Sequence, residues 1–369
     1  MCPFLRRVRG NELERSAMNL PVSQVRAPMP MNARRATVIW IVLAAAALVV
    51  FTGALMLGSV TVSPGQALFA LLRLPEHAAA GGQTSDVAGE IVRTLRLPRA
   101  VAGFSCGALL ALAGALLQVL LRNPLAEPYV LGVSGGAAAF AVAALLAGCA
   151  WWLVDLASFG GAVLSIALVL GLARRELWRG EPQEASPRLL LTGVVVATGW
   201  GAVVTLLVAL APDERLRGIV FWLTGDLNGA ATPWPALAAL AVALGVCVPV
   251  APQLNVLLRG DALAASLGVP AMQLRLRLYF VASLAAAASV TTAGTIGFVG
   301  LIVPHALRLV LGNDQRMLVP ASALAGGVAV MGADLLARTV IAPAQLPVGV
   351  VTALIGVPVF LWMLLGRRP

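Results

Sequence analysis

The sequence predicts an all-α, polytopic membrane protein of ten transmembrane helices, and three observations predict it. Of 369 residues, 60% are hydrophobic and 11% charged, whereas a soluble domain is about 25% charged and about 45–50% apolar. Apolar runs long enough to cross a bilayer recur from residue 38 to residue 365. The charges that remain gather mostly in the short segments between those runs.

The chain divides into a polar amino-terminal arm, residues 1–37, and one ten-helix transmembrane bundle, residues 38–369. The arm is basic and proline-rich and is expected to be disordered and cytoplasmic; Met31 is an alternative start. No small-residue cleavage site clearly follows the first apolar run, about 38–60, so it is a span rather than a signal peptide. Residues 63–90 carry Pro64, Pro75 and a Gly81–Gly82 break and form an exposed loop or short surface helix. RTLRLPR at 93–99 leads into a second span, about 100–121, whose Gly103, Gly107, Ala111 and Gly114 permit close helix contact. RNPLAEPYVLGVSGG at 122–136 is a structured reversal with two prolines and a carboxylate. The third, fourth and fifth spans follow at about 129–149, 151–173 and 189–210.

Residues 213–229 hold an apolar core too short to cross, so they form an interfacial helix or a short helix at a mouth, with Trp222 as an interface anchor. The sixth span is about 234–252. RGDALAASLGVP at 259–270 is a short amphipathic piece outside the bilayer, with Leu263 and Leu267 on one face at i,i+4 spacing. Four more spans follow at about 276–293, 295–311, 317–336 and 348–365.

The net charge of +10 would suggest nucleic acid in a soluble chain. Here topology accounts for it. All 26 basic residues are arginine, and ten spans place 19 of them on the face that holds both termini and seven on the other. The positive-inside bias therefore puts both ends in the cytoplasm. Cys2, Cys106, Cys149 and Cys247 form no CxxC or Cys/His cluster, and with only His77 and His305 no metal site is expected. There is no GxxxxGK[ST] phosphate loop and no lysine to complete one. Any ATP that drives this chain is therefore bound by another polypeptide.

The stretch GTIGFVGLIVPHALRLVLGNDQR, 294–316, is apolar enough for a bilayer yet carries Gly297, Gly300, Pro304 and His305. Proline and glycine there predict a broken or tightly packed helix, against the plainer reading of ordinary membrane packing. His305 is a candidate proton relay or an interfacial histidine holding a hydrogen bond. Asp334 and Arg338 stand one turn apart, either as a pair closing a helix end or with Arg338 facing a partner. Arg96 and Arg99 lie at the same end, against the positive-inside bias, where a planar guanidinium suits a protein partner's carboxylate.

Taken together, RLPR at 96–99, RNPLAEP at 122–128, LGVSGGA at 131–137, RLLLTGV at 188–194, FWLTGDL at 221–227, GDALAASLGV at 260–269, the 294–316 stretch, GADLLAR at 332–338 and LPVGVVTALIGVPVFLW at 346–362 resemble the FecCD-type permeases. These are the membrane subunits of ATP-binding-cassette importers for iron complexes and cobalamin. The resemblance covers about residues 90–365, and one departure is Gln345, where the family usually has glutamate.

The resemblance implies a ten-helix subunit, not itself an enzyme, that pairs with a second copy in the bacterial inner membrane. Two cassette ATPases, which hold ATP and magnesium, would sit below and one periplasmic substrate-binding protein above. Arg259, Gly260, Asp261, Ala265, Leu267 and Gly268 match the helix that couples to each ATPase. Ser186 and Pro187 match a cytoplasmic gate, and Arg96, Arg99 and Arg338 match outer arginines that pair with the binding protein. The chain would bind no cofactor, and its cargo is expected to be haem or a ferric siderophore, with cobalamin as the alternative. Two rivals come from other classes. An ion-coupled secondary transporter would need a buried ionisable site, for which Asp155, His305 and Asp334 are the candidates. A structural membrane scaffold would tolerate substitution across residues 259–268.

Overall fold

The computed structural model describes residues 33–58, 60–72, 84–179, 185–230 and 232–365. Every regular element among them is helical. The helices are α1 (Ala33–Met56), α2 (Pro64–Leu72), α3 (Thr84–Glu90), α4 (Leu97–Leu120), α5 (Val133–Leu146), α6 (Trp151–Arg179), α7 (Ala185–Ala209), α8 (Asp213–Thr224), α9 (Trp234–Leu258), α10 (Asp261–Ser266), α11 (Ala271–Ala293), α12 (Val299–Leu311), α13 (Gln315–Thr339) and α14 (Val348–Leu365). A π-helical turn, Ile91–Arg96, joins α3 to α4, and a 3-10 turn, Pro128–Leu131, precedes α5.

Eight of these are long and apolar enough to cross a membrane, and the shorter apolar helices α5 and α12 fill the third and eighth positions of the expected ten. The chain is a multi-pass membrane protein. The two short helices have local causes. Gly132 takes φ +74 and starts α5 three residues after Tyr129. Gly294, at φ +67, ends α11, and helix does not resume until Val299. The expected arm lies outside the described residues up to position 32; residues 33–37 already belong to α1.

Helix α4 is the axis of the bundle. Nine-tenths of its spanning window is buried, and α9, α11, α12 and α13 pack around it. Its glycines make this possible. A Cβ on Gly107 would overlap the Gly326 carbonyl on α13, and one on Gly114 would overlap the Gly300 carbonyl on α12. Backbone-to-backbone approach of this kind replaces the hydrophobic effect as the glue between helices in lipid. Helices α1 and α7 lie at the periphery, with little of their surface covered.

Candidate functional site: two charged ends of one bundle

At one end of α4, three arginines converge on α1 and α13. Arg96 donates from Nη1 to the carbonyls of Leu55 at 2.8 Å and Met56 at 2.9 Å, and from Nη2 to Val60 O. Arg338 donates from Nη2 to Ala54 O at 2.7 Å. The last carbonyls of a helix have no partner within it, and cations favour that end of its dipole. The two guanidiniums thus cap α1.

Arg99 occupies the centre of this end. Its Nε and Nη2 donate to Asp334 Oδ1 at 2.9 and 2.8 Å, and Nε also reaches Oδ2 at 3.1 Å. Its Nη1 donates to Asn228 Oδ1 at 3.1 Å and Gln345 Oε1 at 2.9 Å. Arg338 Nε lies 3.6 Å from Asp334 Oδ2, one turn along α13. Asp334 is thus shared by two arginines, and all four charged side chains are buried.

Arg96, Arg99 and Arg338, which the resemblance matches to outer arginines that pair with a binding protein, are engaged here inside the chain. They are 6%, 9% and 8% exposed, and each makes at least one hydrogen bond within the chain. They do line one side of a cavity of about 350 Å³ together with Asn228 and Gln345. A larger cavity of about 750 Å³ lies beside it, with Trp151, Asp155, Glu214, Phe221, Asp226 and Gln345 in its wall. Burial raises the Asp226 carboxyl above its usual range, with the Asn228 N–H bond acting the other way.

The mouth helix α8 forms part of that wall. Arg215, in its first turn, donates to the carbonyls of Leu145 at 2.9 Å and Leu146, closing the end of α5. Trp222 is buried against the core rather than facing a membrane interface.

At the opposite end, α10 is a six-residue helix between two glycines. Gly260 at φ +121 and Gly268 at φ +71 stand in backbone conformations that suit glycine. Asp261 receives Arg122 Nη2 at 2.7 Å and Arg275 Nη2 at 2.7 and 2.9 Å. Ala264 is buried, while Ala265 is exposed and Leu263 and Leu267 are 38% and 60% exposed. Met272 on α11 is also bare, and Arg259 is exposed beside them. The shared face expected of Leu263 and Leu267 is there, and no described residue covers it.

Between the two ends, the break at 294–298 lies against α4. Gly300 packs on Leu110 O and the Pro128 ring, whereas Gly297 has open space around it. Pro304 and His305 are buried inside α12, with His305 edge-on to Phe360. Asn228 and Arg275 are the members of these sites that the sequence did not single out, whereas Gln345 stood out there only as a departure from the family pattern. Ser186 and Pro187 fall in the first turn of α7, but their side chains lie outside the described residues.

Comparison with known proteins accords with this geometry. The FecCD transport family matches residues 42–366. A cobalamin import system permease of Halobacterium salinarum is 44% identical over 288 residues, covering 77% of this chain and 75% of that one. A vitamin B12 import system permease of Salmonella paratyphi A is 40% identical over 296 residues, covering 79% and 88%. A solved transporter described as of the metal-chelate ABC type, in an inward-facing conformation, superposes with a TM-score of 0.74 at 27% identity, over 90% of this chain and 99% of that one. The fold and its relatives define a permease subunit of the ABC-importer class. Within that class, the chain belongs to the FecCD transport family.

Proposed function

We propose that this chain is the permease of a cobalamin importer in a bacterial inner membrane. Two copies would flank the path, two cassette ATPases would bind ATP and magnesium below, and a soluble binding protein would deliver cargo from the periplasm. The observation that carries the cargo is the identity of 44% and 40% to permeases named for cobalamin and vitamin B12. On that ground cobalamin takes precedence over the haem or ferric siderophore expected from the sequence. The iron reading retains one support, the fold-wide likeness to a transporter of the metal-chelate type.

In this reading α10 faces the cytoplasm and both termini lie on that side. Its bare apolar face, Leu263 and Leu267, is the surface an ATPase groove would cover, since a short helix transmits force only when packed into its partner. Asp261, held by two arginines, fixes the helix to α11 and to the reversal at 122. Nucleotide-driven closure of the ATPases would bias which state of the bundle is populated. The Arg99 end faces the periplasm. Carboxylates of a binding protein that reached Arg96, Arg99 or Arg338 there would enter through the smaller cavity and compete with Asp334 for Arg99.

The test is ATP-driven uptake into vesicles holding the purified complex, with cyanocobalamin, haem and a ferric siderophore offered separately. Cyanocobalamin accumulates if the reading holds. Accumulation of haem or the siderophore alone overturns the cargo. Uptake that persists with a hydrolysis-dead ATPase overturns the ABC mechanism and returns the chain to the ion-coupled class.

A further inference from the structure

The reversal at residues 122–131 touches both α10 and the head of α12, where helix resumes after the 294–298 connection. At its start, Arg122 reaches Asp261 on α10 at 2.7 Å and Leu257 O, at the end of α9, at 3.2 Å. Five residues on, Glu127 Oε1 accepts the Phe298 N–H at 3.0 Å, just ahead of α12. Tyr129 Oη accepts from Ile296 N at 2.9 Å and donates to Ile296 O at 3.1 Å. The Pro128 ring abuts Gly300.

The segment between these anchors is stiff. Pro124 and Pro128 fix their own φ angles. Asn123 folds the chain back, with its Oδ1 accepting from Leu125 N at 2.9 Å and its carbonyl from Ala126 N at 3.1 Å. A short, turned and proline-fixed segment passes on a displacement rather than absorbing it.

Backbone strain marks the same two anchors. Among the described residues, the non-glycine positions with positive φ are Arg122 at +48 and Phe298 at +69. Such conformations persist only where the surroundings over-determine them, and they gather at sites that switch or act. Here one sits beside the α10 carboxylate and the other at the Glu127 carboxylate. Beyond Phe298 the contact continues, because its Cβ and Ile302 pack on Gly356 of α14. Helix α14 carries a bare outward face that includes Leu354 and Trp362.

We infer that residues 122–131 form a strut that carries movement of α10 to the head of α12 and on to α14, with Arg122 and Glu127 as its positioning residues. This rests on the proposed function, in which a partner ATPase moves α10. Arg122 ties the strut to the moving end. Glu127 ties it to the Phe298 amide, which has no helical partner of its own at the start of α12. Coupling of this kind needs an element with two arrangements that both ends bias; in this proposal that element is the 294–298 connection at the head of α12.

The test measures whether α14 responds to nucleotide. Spin labels at Leu361 on α14 and Leu48 on α1, both exposed, report their separation in the full complex with its ATPase, in vesicles, with and without ATP. In the wild-type chain the separation shifts when ATP binds. Glu127→Ala should lose that shift while ATP is still hydrolysed, and Glu127→Gln, which keeps an accepting oxygen, should restore it. Arg122→Ala, at the more exposed anchor, should also lose it and serves if Glu127→Ala does not assemble.

A full shift in both alanine variants overturns the strut, as does loss in Glu127→Gln equal to that in Glu127→Ala. A wild-type complex that imports cyanocobalamin with no shift also overturns the strut while leaving the import reading intact. A shift that Glu127→Ala abolishes, in a complex that takes up no cyanocobalamin, upholds the strut and sinks the cargo.

Discussion

The two ends of this bundle use arginine in opposite ways. At the Arg99 end, one carboxylate serves two buried guanidiniums, and a third caps the last carbonyls of α1. At the Asp261 end, one carboxylate again receives two guanidiniums, but there the side chains are 16–33% exposed. Beside them Leu263, Leu267 and Met272 are bare. The first end is closed on itself; the second leaves an apolar face bare among the described residues. Charge sign alone does not separate them. What separates them is whether the chain itself supplies the partners.

The largest effect should come from the closed end. Asp334→Ala leaves Arg99 and Arg338 buried without their anion, and breaking a buried pair in this way costs ~3–5 kcal/mol. Thermal unfolding of the purified chain in detergent should show a clear drop in midpoint. An unchanged midpoint would mean the end is wetter and looser than its geometry. Next comes the packing that joins the ends. Gly114→Ala drives a Cβ into the Gly300 carbonyl, an overpacking worth about 1–3 kcal/mol or more. Gly297→Ala, in open space, should stay within about 0.5 kcal/mol. Equal losses at both glycines would dissolve the distinction between a packed and an open side of the break. The smallest change is Gln345→Glu. It turns a neutral bond to Arg99 into a charge-assisted one and should raise stability by about 1 kcal/mol at most. A fall would show that the site already holds all the negative charge it tolerates.

The helices and the helix ends were legible in the sequence because their signals are local. Apolar runs placed the spans, the i,i+4 spacing of Leu263 and Leu267 marked α10, and the small residues of α4 announced close packing. What the sequence could not supply was pairing across distance. Arg99 and Asp334 are 235 positions apart, and Glu127 and Phe298 are 171. An arginine at a membrane edge looks alike whether it faces a partner or a helix end behind it. That is why the sequence left both readings of Arg338 open, and why the internal network in which Arg96, Arg99 and Arg338 stand could not be read from it. Trp222 was misplaced for the same reason, since an aromatic near a predicted boundary can anchor at an interface or fill the core.

The most direct measurement is co-purification of a Walker-motif ATPase with the wild-type chain and with Leu267→Asp. Leu267 is exposed and makes little use of the fold, so the variant should fold normally, with stability changed by about 0.5 kcal/mol or less. The ATPase should accompany the wild-type chain and be lost from the variant. An ATPase retained equally by both would contradict the assignment of α10 as the surface through which this permease is driven.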